Sequence, residues 1–231
     1  SLRRRQRQMC IRDRDEMAKC APNDIAVQWT NVHNERKTFT FSDIATLSNK
    51  AANALRNNGV KKGDKVLVIL KRNYEYWYIV PALHKLGAVV IPATNMLTLD
   101  DITYRIETAN IKFAVSTPDD VTAETLVQAK TVKSQLEKVF VVRRDVEGSI
   151  NLTKEIENAD ENLERVQTKA KEPMLIYFTS GTTGYPKAVM HNHTYTLAHI
   201  VTAKFWQNVK ENGLHLTVAE LSLIHISEPT R

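Results

Sequence analysis

The stretch from Leu175 to Lys187 constrains this chain most. Leu175, Ile176, Tyr177 and Phe178 are four consecutive apolar residues, the length of a buried strand. The character then changes abruptly. Thr179, Ser180, Thr182 and Thr183 place four hydroxyls within five residues. Gly181 and Gly184 permit positive φ, so successive backbone N–H groups can turn toward one anion. Lys187 adds a mobile cation with three donors. Hydroxyls, inward amides and one lysine after a strand are the ingredients of a phosphate cradle.

The cradle is not the Walker loop, which needs Gly-Lys-Ser/Thr at the start of a helix. Here Pro186 precedes the lysine and Ala188 follows it. Proline fixes φ and removes a donor, so the loop is expected to lead into a second extended segment, Ala188 to Met190. A Gly/Thr-rich surface turn would explain an isolated G-x-x-G. It does not explain the whole string behind an apolar strand.

Thr179-Ser180-Gly181-Thr182-Thr183-Gly184-Tyr185-Pro186-Lys187 resembles the signature loop of the AMP-forming adenylating enzymes. That superfamily holds acyl-CoA synthetases, peptide-synthetase adenylation domains and firefly luciferase. Two further stretches are similar to the early part of these enzymes, Gly59 to Val66 and Leu86 to Pro92. Two details favour acyl-CoA synthetases. Pro92 to Thr98 lacks the Asp-Pro-x-Tyr-Pro string of peptide-synthetase domains, and Asp101 to Ile106 is similar to medium-chain and butyrate-type synthetases.

The resemblance implies a partial N-terminal domain of the adenylating-enzyme fold, and an acid–thiol ligase. A carboxylic (fatty) acid would attack the α-phosphate of ATP, giving acyl-adenylate and pyrophosphate, and coenzyme A would then displace AMP. By resemblance, Thr179 to Lys187 hold the ATP phosphates, Thr179 approaches Mg²⁺ and His193 belongs to the nucleotide site. His193, with His191 two residues before it, could equally be a satisfied histidine at a helix start. The alternatives are an aryl-acid or peptide-synthetase adenylating enzyme, and a nucleotide-binding module without catalysis. The family's later motifs would lie beyond Glu220, so this polypeptide is expected to make no acyl-CoA by itself.

Charge bears on partners through its placement. The 231 residues carry a formal +6. Six Arg and one Asp fall in Ser1–Arg14, and one Arg and one Glu in Leu221–Arg231, which leaves 25 basic and 24 acidic residues between them. That balance argues against a nucleic-acid surface. Arg4 to Arg14 resembles, codon by codon, one reading frame of a transposase-type sequencing adapter ending in its mosaic sequence, and Leu221 to Arg231 the reverse complement of that mosaic sequence followed by the opposite adapter. Residues 1–14 and 221–231 are therefore expected to be non-native, flanking an AMP-binding (adenylation) region at 15–220. Only Cys20 then remains, which fits a reducing compartment such as the cytoplasm. No apolar run reaches the length of a membrane span.

Along the chain, Ile25–Thr30 and Lys37–Phe41 predict a hairpin, and Ser42 a helix cap before a helix to Asn57. Val66 to Leu70 is apolar throughout, as in a strand covered on both faces. A helix from Asn73 to Leu86 carries Pro81 inside it. Thr98 with Asp101 approximates a capping box for a helix to Ala109. Phe113–Val115 and Val139–Val142 predict strands around a helix at Val121–Ala129. Arg143 to Pro173 is polar and predicts a surface connection with a short helix at Leu152–Glu157. A helix is expected over Thr194–Gln207 and a strand over Leu214–Val218. Alternating strands and helices predict βαβ units, and hence an α/β fold with a largely parallel sheet.

Overall fold

The computed structural model describes residues 9–179, 185–206 and 208, with the backbone alone over 9–14. The strand expected at Leu214–Val218 lies outside the described residues. The chain opens with helix α1 (Met9–Cys20) and an antiparallel hairpin, β1 (Ile25–Thr30) and β2 (Arg36–Thr40). Helix α2 (Phe41–Asn57) follows without a linker. Its cap is Thr40, not Ser42. The Thr40 hydroxyl accepts from the Asp43 amide at 3.1 Å, and the Asp43 carboxylate accepts from the Thr40 amide at 2.8 Å. Asp43 at the third helical position supplies the return bond of the box, and that fixes the start two residues earlier.

The main sheet has seven strands in the order β7-β6-β5-β3-β4-β8-β9. They are β3 (Lys65–Ile69), β4 (Val89–Pro92), β5 (Phe113–Ser116), β6 (Lys138–Val141), β7 (Ile150–Asn151), β8 (Pro173–Thr179) and β9 (Lys187–Asn192). All neighbours are parallel except the last pair, β8 and β9. The connecting helices are α3 (Tyr76–Leu86), α4 (Leu99–Ala109), α5 (Thr122–Val132) and α6 (Leu152–Glu157), with α7 (Tyr195–Phe205) after the sheet. The mixed α/β class with a mostly parallel sheet is as the sequence predicts.

Helices cover both faces, as parallel sheets require. Val66 and Val68 of β3 join Ala51 and Leu55 of α2, Ile79 and Leu83 of α3 and Ile156 of α6 in one cluster. Leu67 and Ile69 point the other way, to Ile102 and Ile106 of α4 and Leu126 of α5. This is why β3 has no polar position between Val66 and Ile69. Helix α4 starts at the predicted box, with Thr98 and Asp101 exchanging both bonds, and ends at Asn110 in the left-handed region, φ 53°. Helix α3 begins at Tyr76 because residues 73–76 form a turn, Asn73 capping nothing.

The stretch Arg143–Pro173 is tied down more firmly than its composition predicts. Leu152 and Ile156 are buried against the α2 cluster. Asn53, itself buried on α2, donates to the carbonyls of Asp160 at 2.6 Å and Asn162 at 3.0 Å. Backbone–side-chain bonds of this kind substitute for the large apolar residues the segment lacks.

Candidate functional site

The two ends of the phosphate-cradle string lie on the one antiparallel strand pair of the main sheet among the described residues. Thr179 faces Lys187 as the closing pair of β8 and β9, followed by Phe178 with Ala188, Tyr177 with Val189 and Leu175 with His191. No helix begins at Lys187: strand β9 does, which is the consequence of Pro186 in place of a helix-opening Gly-Lys-Ser. Ser180, Gly181, Thr182, Thr183 and Gly184 lie outside the described residues. Thr179, Tyr185, Pro186 and Lys187 are described, and they stand together at the end of this hairpin.

The sheet sets where that end points. Strand β8 is parallel to β4, so Thr179 lies at the carboxyl edge of the parallel strands. Open α/β sheets take ligands outside this edge. Lys187 is exposed and has no ion-pair partner among the described residues. Thr179 is half-buried, and its hydroxyl donates to the Lys187 carbonyl at 3.5 Å. An ammonium with no ion-pair partner among the described residues can receive an anion without first breaking an ion pair among them.

Helix α4 holds the turn from beside the sheet. The Tyr104 hydroxyl donates to the Pro186 carbonyl at 3.0 Å. Its ring stacks on Tyr185, with centroids 4.8 Å apart and planes 21° apart, and meets Phe178 edge-on at 6.5 Å. The next residue, Arg105, sets its guanidinium over the Phe178 ring at 5.1 Å, and burial lowers its pKa. Both lie in the Asp101–Ile106 stretch whose resemblance is noted above, but nothing local in that stretch says what either side chain touches. A Tyr-Arg pair on an amphipathic helix looks the same whether it faces solvent or a strand 74 residues later.

The structure does not bring His193 to the loop. Strand β9 runs antiparallel, so six residues beyond Lys187 the chain has crossed to the amino edge of the sheet, roughly 20 Å away at ~3.4 Å per residue. There the His193 amide donates to the Glu172 carbonyl at 3.3 Å, and its ring lies 6.5 Å from that of His84. Burial lowers its pKa, and Nε2 is buried with no hydrogen bond among the described residues. His191 faces the other way from Met190, packing at 4.1 Å centroid distance on Tyr195 of α7. Asn192, not Thr194, supplies the side-chain bond at the α7 start, accepting from the Thr194 amide at 3.0 Å.

A second polar group sits at the same carboxyl edge, where β3 and β5 lie side by side but send their connections in opposite directions. Asn73 donates to Thr117 at 2.9 Å and Asp119 at 2.8 Å, Arg143 donates to Asn73 at 2.8 Å, and Lys71 pairs with Asp120 at 3.0 Å. Burial works against the Asp120 charge, but bonds from Thr122, Lys71 and Asn95 hold its pKa down at about 2. These groups satisfy one another, so the cluster braces the edge of the sheet.

Residues 15–228 match the family described as AMP-binding enzyme. The chain belongs to that family. Among the relatives of this AMP-binding enzyme, the mitochondrial acyl-coenzyme A synthetase ACSM4 of Mus musculus is 31% identical over 205 residues, 88% of this chain and 35% of the relative. The mitochondrial ACSM3 of Homo sapiens is 34% identical over 194 residues, 83% of this chain and 33% of the relative. The chain thus spans about a third of the length of these relatives. A crystal structure of the Brucella canis acyl-CoA synthetase superposes with a TM-score of 0.79 at 20% identity, over 88% of this chain and 37% of that one. No helix among the described residues is long and apolar enough to cross a membrane, and none of them gathers three or more His, Cys, Asp or Glu into a metal-binding group.

Proposed function

We propose that this chain is the phosphate-holding part of an acyl-CoA synthetase, which activates a carboxylic acid, most plainly a fatty acid, with ATP and passes the acyl group to coenzyme A. The observation that carries the reading is the placement of Thr179 and Lys187 at the carboxyl edge of a parallel sheet, with Lys187 exposed and without an ion-pair partner among the described residues. Hydroxyls and amides of residues 179–185 would receive the β- and γ-phosphate oxygens. Lys187 would offset the charge of the departing pyrophosphate, a positioning and electrostatic role. Mg²⁺ would arrive with ATP, since magnesium keeps several waters and leans on substrate phosphates. The hydroxyl of half-buried Thr179 fits as one protein neighbour. The matched relatives named as acyl-coenzyme A synthetases support the acyl substrate.

The partners implied are small molecules: the acid, ATP and coenzyme A. The even charge between residues 15 and 220 supports the absence of a nucleic-acid partner. For location we infer a reducing compartment, the cytoplasm or, following the relatives' names, the mitochondrion. Cys20, exposed and unpaired, suits either. An aryl-acid ligase would use the same loop with a different acid.

The test is binding of MgATP to the purified 231-residue chain. Losing one charge-assisted bond costs ~1.5–3 kcal/mol, so Lys187→Ala should weaken MgATP at least about tenfold and leave adenosine unaffected. Equal binding of MgATP by both proteins would remove the phosphate reading. Extending the reading frame and comparing butyrate, octanoate and benzoate then separates the acyl from the aryl alternative.

A further inference from the structure

We propose that Tyr104 is a positioning residue for the phosphate loop, setting the limb that delivers Lys187 before any nucleotide arrives. The proposal rests on the adenylating reading for its purpose and on geometry for its content. Three contacts converge on one side chain. The Tyr104 hydroxyl bonds the carbonyl of Pro186, the residue immediately before Lys187. Its ring stacks on Tyr185, two residues before Lys187, and also meets Phe178 on the strand that enters the loop. One helix residue therefore touches both limbs of the turn.

The chemistry at each contact suits a fixed brace. Pro186 gives no amide, so this limb cannot add a backbone donor to the ladder, and its carbonyl is available to a side-chain donor. Tyr185 is 74% exposed, so its contact with Tyr104 is what holds it against the protein. The near-parallel stack at 4.8 Å is a favourable aromatic geometry. Helix α4 is itself rigidly placed, with Ile102 and Ile106 buried and both ends capped. The limb is thus anchored by Thr179 across the hairpin and by Tyr104 from the side. A limb held in place in the free protein does not have to be placed by its ligand, and affinity rises accordingly.

The test separates the brace from the nucleotide. Hydrogen exchange of the Tyr185–Asn192 segment is read without ligand in wild type, Tyr104→Phe, Tyr104→Ala and Tyr185→Ala. Loss of the hydroxyl bond in Tyr104→Phe should speed exchange at Tyr185 and Lys187 about threefold. Loss of bond and stack in Tyr104→Ala should speed it tenfold or more. Amides of Val66–Leu70 should be unmoved. MgATP affinity should fall in the same order, with Tyr104→Phe closer to wild type, and Tyr185→Ala, which loses the stack and keeps the hydroxyl bond, should fall between wild type and Tyr104→Ala. Should Tyr104→Ala not fold, Tyr104→Phe and Tyr185→Ala carry the comparison. Unchanged exchange in the variants overturns the proposal. Changed exchange with no MgATP binding by wild type sustains the brace and removes the adenylating reading instead.

Discussion

Asp15→Ala should destabilise the chain by about 2–3 kcal/mol, a fall of roughly 5–10 °C in melting midpoint for a domain of this size. The cause is Lys85. Its side chain, in the last turn of α3, is only 2% exposed, and Asp15 of α1 meets it at 2.8 Å. Ser48 and Asn49 of α2 supply two further acceptors at 2.8 and 2.7 Å. Those oxygens are neutral, so removing Asp15 takes from a buried ammonium the carboxylate that meets it at 2.8 Å. Breaking a buried pair from one side costs up to ~3–5 kcal/mol. The 26% exposure of Asp15 and the two remaining acceptors place this case lower. Asp15→Ala combined with Lys85→Met should recover most of the loss, since the charge goes with its partner. We also propose that residues 1–14 are foreign to the domain, so deleting them should shift the midpoint by no more than about 1 °C, within the usual range of surface changes. Thermal denaturation of the four proteins checks all of this. A deletion as damaging as Asp15→Ala would end the view that residues 1–14 are foreign to the domain.

The contrast between Asp15 and the caps shows what the sequence can and cannot carry. Thr98 with Asp101, Gly87 and Asn110 act within four residues of themselves, so their roles are written locally, and both helix ends form where expected. The unbroken apolar run of β3 likewise reports its own double burial. Ser42 misleads because Thr40 and Asp43 offer the same chemistry two residues earlier in a reciprocal form. Partnerships across the fold leave no such trace. Tyr104 and Pro186 are 82 residues apart, and a tyrosine in mid-helix has the same local setting whether or not a loop lies over it. Asp15 and Lys85 each look like solvated surface charges until the α1 and α3 helices cross. The strand order is hidden for the same reason. Nothing local makes the chain return from β4 past β3 to place β5 on its other side. The loop was legible because its chemistry is contiguous. Its distance from His193 was not, because only the pairing of β8 with β9 turns six residues into a full crossing of the sheet.

Arg143→Ala should cost about 3 kcal/mol at pH 7.5, and measurably less at pH 5.5. Glu75 precedes α3 and is 1% exposed, with Arg143 Nε 2.7 Å from its carboxylate. Arg143 holds the left-handed region at φ 60°, donates its amide to Thr153 at 2.8 Å and its guanidinium to Asn73 at 2.8 Å, and covers the Tyr74 ring at 5.3 Å. A residue kept in that conformation is over-determined by its surroundings. Burial pushes the Glu75 carboxyl above its ordinary value, and the Arg143 charge pulls it back without cancelling the shift. A carboxyl raised in the folded state adds stability below its unfolded pKa and loses it as pH rises through the folded pKa. Without Arg143 the folded pKa moves higher still. At neutral pH the variant must then either bury an unpaired carboxylate or take up a proton. At pH 5.5 the proton is cheaper, and the difference from wild type narrows. In a Glu75→Gln background the Arg143→Ala penalty should be the same at both pH values, because no carboxyl remains to titrate at that site. Urea unfolding of wild type, Arg143→Ala, Glu75→Gln and the double variant at the two pH values decides it. An Arg143→Ala penalty identical at both would mean that Arg143 acts through Asn73, Tyr74 and Asp119, and that the carboxylate at the head of α3 does not depend on its charge.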